Sequence, residues 1–233
     1  MNNRTVHEFL KRLTSVLSVR IKAGPLKGRK WIFSTGRNFL RGQYEVEKTE
    51  GIVRTISEDD IVFDIGAHVG YYTLIMAQIA GPRGHVFAFE PRTLNRDFLK
   101  KHIRLNDFTN VTVFPYCVGD TRRTVHFETR TGTGTGHVSD EGDTSVEMIS
   151  IDEAVSEGLL RVPTAIKLDV EGAEKLVLDG GMETITEHKP KMILAVHSDE
   201  LEAYCRGKLE PLGYTFEDLG QEKGDKEFIV TAG

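Results

Sequence analysis

Cysteine is scarce: the 233 residues contain two, Cys117 and Cys205. Two thiols in apolar or helical surroundings make neither a disulfide framework nor a metal-ligand pair, so a reducing compartment, the cytoplasm, is the expectation. No apolar run approaches the ~18 residues needed to span a bilayer, and no secretory h-region opens the chain. The G-x-G-x-x-G fingerprint is missing, which argues against a nicotinamide dehydrogenase. A Gly/Thr-rich stretch, residues 128–145, has no P-loop lysine after it; it is too polar to build a core and reads as a mobile loop beside a site. The remaining composition, 39% hydrophobic and 28% charged, is that of a soluble globular protein with ample core material.

The net charge of −5 hides an asymmetry: residues 1–41 carry ten basic side chains and one acidic, a balance of +9, against −14 for the remainder. Such an arm points to an anionic partner (membrane surface, nucleic acid or charged substrate) or to docking on its own acidic body. Val6, Phe9, Leu10, Leu13, Val16 and Leu17 recur at helical spacing, so residues 5–20 read as an amphipathic helix, either capping the domain or touching a membrane peripherally.

The strongest local signal is Ile61-Val-Phe-Asp-Ile-Gly-Ala-His-Val-Gly-Tyr-Tyr72. A short apolar run reads as a buried strand, Gly66 and Gly70 permit a tight turn with close ligand approach, and a helix follows to about residue 80. This is a nucleotide-binding crevice with spacing D-x-G-x-x-x-G. Asp64 would repel a pyrophosphate but suits a cationic amino group, which S-adenosylmethionine carries together with its sulfonium. A second strand, residues 85–90, ends in Glu90, 20 residues after Gly70, where a carboxylate can accept from both ribose hydroxyls. A third strand is expected over 111–118, and Asp120 after it could accept from the adenine amine.

Downstream, a strand over 146–151 precedes a short helix, and Ala165-Ile-Lys-Leu-Asp-Val-Glu-Gly-Ala-Glu174 crowds Lys167, Asp169, Glu171 and Glu174 at the carboxyl end of a fourth core strand. Crowding of that kind implies proton transfer, metal binding or mutual pairing, with a Lys167–Glu174 pair as the structural alternative. A fifth strand, residues 191–197, ends in His197, placed to take a proton at neutral pH. His68, His102, His126 and His188 lack that placement. Two strands near the C-terminus, 214–218 and 228–231, are joined by a charged hairpin. The fold class is therefore α/β: a doubly wound, mostly parallel seven-stranded sheet closed by a C-terminal antiparallel hairpin. Residues 1–57 form a basic helix and cap region, with a helix over 45–56 that offers Ile52 and Val53 to the core; 58–233 form the main domain.

Asp64-Ile-Gly-Ala-His-Val-Gly-Tyr-Tyr-Thr73, Phe89-Glu90-Pro91, Val118-Gly119-Asp120 and Lys167-Leu-Asp-Val-Glu-Gly-Ala-Glu174 resemble the blocks of the FkbM family of S-adenosylmethionine-dependent methyltransferases, with Gly42-x-Tyr44-Glu45 and Asn106 as further points of likeness. The resemblance implies the class I methyltransferase fold, Rossmann-like, and O-methyltransferase activity. By position, Asp64, Gly66, Ala67, His68 and Gly70 would cradle the methionine end of the cofactor and Thr73 its carboxylate. Glu90 would hold the ribose, Val118 and Asp120 would frame the adenine, and Asp169 would lie beside the sulfonium. His68 stands where the family usually has Asn, and the strand ending in His197 lacks a Glu that the family often has nearby.

The reaction expected is in-line transfer of a methyl group to a hydroxyl, with Asp169 as first candidate base, His197 as second and Glu171 orienting it. No metal is expected, although Asp169, Glu171 and Glu174 could hold a divalent cation. The acceptor expected is a sugar, glycolipid or small metabolite. RNA is the alternative acceptor, weakened by the lack of an aromatic-interleaved basic platform, and a non-catalytic binding module of the same fold is the other alternative. Nothing in the sequence sets an oligomeric state.

Overall fold

The computed structural model describes residues 17–128, 137–138, 142–222 and 225–233. The described residues begin with an antiparallel ribbon, Ser18–Arg20 (β1) against Lys30–Ile32 (β2), followed by helices Arg37–Arg41 (α1) and Val46–Thr55 (α2). The helix expected over 5–20 is thus corrected at its C-terminal end. Leu17, Val19 and Ile21 alternate with polar residues, and β-branched residues suit a ribbon, where Val19 pairs with Trp31. The rest of that helix lies outside the described residues. In α2, Ile52 is fully buried, whereas Val53 is 43% exposed and does not join the core.

The remaining elements are Ile61–Ile65 (β3), Tyr71–Ala80 (α3), His85–Phe89 (β4), Thr93–Leu105 (α4), Val111–Phe114 (β5), Cys117–Val118 (β6), Arg123–Glu128 (β7), His137–Val138 (β8), Thr144–Ile149 (β9), Ile151–Ser156 (α5), Ala165–Leu168 (β10), Glu174–Asp179 (α6), Met182–His188 (α7), Lys191–Val196 (β11), Asp199–Leu209 (α8), Tyr214–Glu222 (β12) and Asp225–Ala232 (β13). The main sheet has the order β12-β13-β11-β10-β3-β4-β5, parallel except for β13, which runs antiparallel between β12 and β11. This is the mixed seven-stranded sheet expected. The strand expected over 111–118 breaks, because Pro115 cannot donate to the ladder. Cys117 and Val118 pair instead with β9 in a small sheet of order β6-β9-β7-β8. Strand β7 escaped the sequence reading, although its buried Val125 and Phe127 alternate with exposed Thr124 and His126. It shortens the loop expected over 128–145, since β8 and the start of β9 both pair with it. The strand expected over 146–151 shifts to 144–149, because the Ser150 hydroxyl accepts from Glu153 N and starts α5.

One apolar cluster lies on each face of the sheet. Val62 joins Leu74, Ile75, Leu99 and the cap residues Leu26, Trp31 and Ile52 on one face. Phe63 and Ile65 join Leu168, Leu194 and Phe228 on the other. The cap region therefore shares the main core. His102 pins it there: the ring stacks on Trp31 with centroids 3.6 Å apart, Nδ1–H donates to Val69 O at 2.8 Å, and Nε2 accepts from Ile32 N at 3.1 Å. Asn106 copies a strand edge, accepting from Lys30 N and donating to Lys30 O. Burial of the neutral His102 ring pushes its pKa down to about 3. The unfolded ring takes up its proton near 6.5, so this contribution to stability is complete above pH 6.5 and is lost as pH falls toward 3. Urea unfolding between pH 6.5 and 4 should lose about 1.4 kcal/mol per pH unit more in the wild type than in His102→Gln; parallel slopes would contradict a buried neutral ring.

Candidate active site

The carboxyl ends of β3 and β10 flank the point where strand order reverses, the usual ligand crevice of an open α/β sheet. The turn leaving β3 holds three left-handed residues in five, with φ of 81° at Gly66, 50° at His68 and 92° at Gly70. A Cβ on Gly66 would lie 1.8 Å from Asp169 O, and one on Gly70 would lie 2.3 Å from Leu99 Cδ1. Both glycines are thus demanded by packing as well as by φ. Asn, Asp and His tolerate the left-handed region better than other side chains, which accounts physically for His where the family usually has Asn.

A cavity of about 500 Å³ opens over this turn. Glu90 lines it, 5% exposed, with Oε1 accepting from Arg92 N at 2.8 Å. Burial pushes the Glu90 carboxyl up to about 7, against the pull of the Arg92 and His68 backbone N–H groups. Phe89, Pro91, Tyr116, Val118 and Phe127 make an apolar wall beside it, and Phe39, Tyr44, Tyr71 and Tyr72 supply aromatic surface. Apolar and aromatic surface around a buried polar anchor is the usual form of a small-ligand site.

Charged residues meet at the other end. Lys48, 3% exposed, donates to Asp169 Oδ2 at 2.7 Å and to Glu227 Oε1 at 2.8 Å, and lies 3.7 Å from Glu45 Oε2. Tyr72 donates to Glu45 Oε2 at 2.5 Å. Lys167, also buried, donates to Gly66 O at 2.8 Å and lies 3.2 Å from Asp64 Oδ1 and 3.7 Å from Asp169 Oδ2. Burial would raise the Asp169 carboxyl, but Lys48 and Lys167 outweigh it and hold it well below the usual range. His197 Nδ1 meets the buried Glu174 Oε1 at 2.6 Å, and its Nε2 has oxygens of Asp169, Glu171 and Asp225 each 3.8 Å away. Burial alone would lower the imidazole; the bond to Glu174 and the surrounding carboxylates lift it to about 9.

Of the residues given a cofactor or catalytic role in the sequence, Gly66, Ala67, His68, Glu90, Val118, Asp169 and Glu171 line the cavity, and Lys167, singled out for its charge, lines it too. The others stand elsewhere. Asp64 is fully buried behind the turn, where Oδ2 accepts from Thr73 Oγ1 at 2.5 Å. The hydroxyl that was to meet the cofactor carboxylate is thus committed to Asp64. Gly70 packs on Leu99. Asp120 is at the surface, paired with Arg123. His197 lies behind Asp169 and Glu171, and it holds a proton at neutral pH where it was expected to accept one. The Lys167–Glu174 pair gives way to Lys167 with Asp64 and Glu174 with His197. Asp169, Glu171 and His197 have donor atoms within 4.8 Å of one another, the one group among the described residues spaced for a metal. Lys48, Lys167 and the His197 imidazolium already supply positive charge beside these carboxylates.

Residues 64–218 match the family model described as Methyltransferase FkbM domain. The chain belongs to the FkbM methyltransferase family. It is 32% identical over 163 residues to the hexuronic acid methyltransferase AglP of Haloferax volcanii, covering 68% of this chain and 64% of that one. It is 26% identical over 162 residues to the 2-O-methyltransferase NoeI of Sinorhizobium fredii, covering 61% of this chain and 65% of that one. The chain therefore spans slightly under two thirds of both relatives. A methyltransferase FkbM from Methylobacillus flagellatus superposes with a TM-score of 0.58 at 21% identity, over 75% of this chain and 44% of that one. An S-adenosylmethionine-dependent O-methyltransferase from Thermotoga maritima superposes with a TM-score of 0.50 at 13% identity, over 82% of this chain and 66% of that one. These two share the class I fold. The FkbM match begins at Asp64 and ends at Asp218, so Tyr44, Glu45, Lys48 and Glu227 lie outside it although they build one end of the cavity. Lys48 and Glu227 carry no local spacing signal: each sits in a short run of mixed charge, Glu45-Val-Glu-Lys-Thr-Glu50 and Asp225-Lys-Glu227, that reads as a solvated face.

Proposed function

We propose that this FkbM family chain is an S-adenosylmethionine-dependent O-methyltransferase acting on a sugar hydroxyl, with a uronic acid the acceptor to try first. The observation that carries the reading is Glu90: a buried carboxyl on the cavity wall, fixed by the Arg92 backbone N–H and with its pKa raised to about 7, to which a ribose diol would add further hydrogen bonds that favour the ionised form. The bound cofactor would supply a methyl group activated by a sulfonium. Glu90 would hold the ribose, and Phe89, Val118 and Phe127 would receive the adenine. Asp169 would present a fixed negative charge beside the sulfonium, kept ionised by Lys48 and Lys167. Tyr44, Tyr71, Tyr72 and Phe39 would bind the acceptor and exclude water. The names of AglP and NoeI, a hexuronic acid methyltransferase and a 2-O-methyltransferase, support the acceptor class. Among the described residues no helix is long and apolar enough to cross a membrane, and Arg29 of the basic arm docks on the domain itself, donating to Gln78 and lying over Phe108.

The test is calorimetric titration of S-adenosylmethionine and, separately, NAD, followed by methyl transfer assays with glucuronic acid, neutral glycosides and RNA. The expected result is binding of S-adenosylmethionine alone and transfer to the glucuronic acid. Transfer to RNA alone, or binding of NAD, would overturn the reading.

A further inference from the structure

A hydroxyl is a poor nucleophile until its proton leaves, so an O-methyl transfer needs a base within reach of the acceptor oxygen. The two groups at the ends of β10 and β11 that would ordinarily take this role are the wrong bases. Asp169 is held ionised by two ammonium groups, which makes it a weak proton acceptor. His197 already carries its proton and sits behind the cavity wall. Glu171 is one-third exposed to solvent and turned toward His197.

Glu227 differs from all three. It projects from β13, the antiparallel strand, where it pairs with Ala195 of β11. It is 7% exposed and lines the cavity. Its two oxygens are not equivalent: Oε1 accepts from Lys48 at 2.8 Å, while Oε2 is buried with no hydrogen-bond partner. A buried carboxylate oxygen with nothing to accept is costly unless a ligand supplies the donor. Lys48 also binds Asp169 Oδ2, so Oε1 lies one shared ammonium from the carboxylate at the methyl-donor end. We propose that Glu227 is the general base of the reaction, with Oε2 receiving the proton of the acceptor hydroxyl. The assignment rests on the O-methyl reading above. The acceptor oxygen forms a bond to the methyl carbon, the carbon–sulfur bond breaks with its electron pair passing to sulfur, and the hydroxyl proton moves to Oε2. Lys48 keeps Oε1 fixed throughout. Burial, with Asp169 and Glu45 nearby, raises this carboxyl to about 7 against the pull of Lys48, where a base combines ionisation at neutral pH with useful proton affinity.

The experiment is Glu227→Gln in the full chain, read in three ways. Saturating both substrates isolates kcat from any titration of Glu90 in cofactor binding. The expected kcat falls a hundredfold or more, within the range of ~10²–10⁴ for general base catalysis. The acidic limb of the wild-type kcat profile, set by this carboxyl in the substrate-bound complex, disappears. The calorimetric Kd for S-adenosylmethionine stays at the wild-type value. In the cofactor-free protein, ¹³C NMR of the side-chain carboxyls shows a group titrating near 7 that is lost on substitution. Glu227→Asp, which keeps the Lys48 partner but withdraws the oxygen by one methylene, retains the limb at lower kcat and covers the case of a poorly folded Gln variant. A Gln variant with near wild-type kcat, or one whose acidic limb persists and vanishes instead in Asp169→Asn, overturns the assignment alone. A wild type that binds S-adenosylmethionine but methylates no hydroxyl overturns the O-methyl reading and the assignment with it.

Discussion

Lys48→Met is expected to lose about 3–5 kcal/mol of stability at pH 7, the typical cost of stranding buried charge by removing one partner. The ammonium is within 4 Å of three carboxylates, Asp169, Glu227 and Glu45. Without it, Glu227 and Asp169 face each other across an apolar side chain. Urea unfolding measures the loss directly. The penalty should shrink as pH falls, because removing Lys48 takes away the pull that holds the Glu227 carboxyl down to about 7, so in the variant that group takes up its proton at a higher pH and relieves the repulsion. A further Glu227→Gln exchange should recover much of it at neutral pH. A Lys48→Met protein as stable as the wild type would mean that this cluster is open in solution.

Glu90→Ala should weaken S-adenosylmethionine binding by ~10²–10⁴-fold, since two hydrogen bonds to a charged acceptor contribute about 1.5–3 kcal/mol each. The fold should survive, because the lost group is one whose ionised form burial disfavours. The folded value of about 7 lies above the ordinary 4.5, so ionised Glu90 opposes folding above pH 4.5 and its removal takes that opposition away. In the wild type, cofactor affinity should fall about tenfold per pH unit as pH drops below 7, because the diol needs an ionised acceptor. The alanine variant should lack this slope. Calorimetry across pH checks both points, and full binding by Glu90→Ala would remove Glu90 from the ribose.

Legibility in the sequence followed the range of the interactions. Strand β3, its glycine turn and α3 form one unbroken local signal, and Glu90 follows at a distance set by a single βα unit. The charge cluster is another matter. Lys48 reaches Asp169 across 121 residues and Glu227 across 179, and no spacing rule spans such separations. Thr73 and Asp64 were both legible as site residues, yet their hydrogen bond to each other could not be read from spacing, and it withdraws the Thr73 hydroxyl from the cavity. Strand β7 was overlooked because its alternation is short and polar outside; pairing with β8 and β9 makes it a strand. His197 was placed at the right end of the right strand, but its protonation depends on Glu174, 23 residues away.

The insertion of β13 between β11 and β12 also has a consequence for biosynthesis. A chain emerging from the ribosome can close β3, β4, β5, β10 and β11 before the last strand exists. Until then β11 is an unpaired edge bearing Met192, Ile193, Leu194 and Val196, an invitation to intermolecular pairing. The nascent protein would thus hold its scaffold and cofactor crevice early, while Lys48 waits for Glu227. The strand that covers this edge is also the strand that brings Glu227 to the cavity wall, so protection from self-association and the Lys48–Glu227 contact arrive in one event.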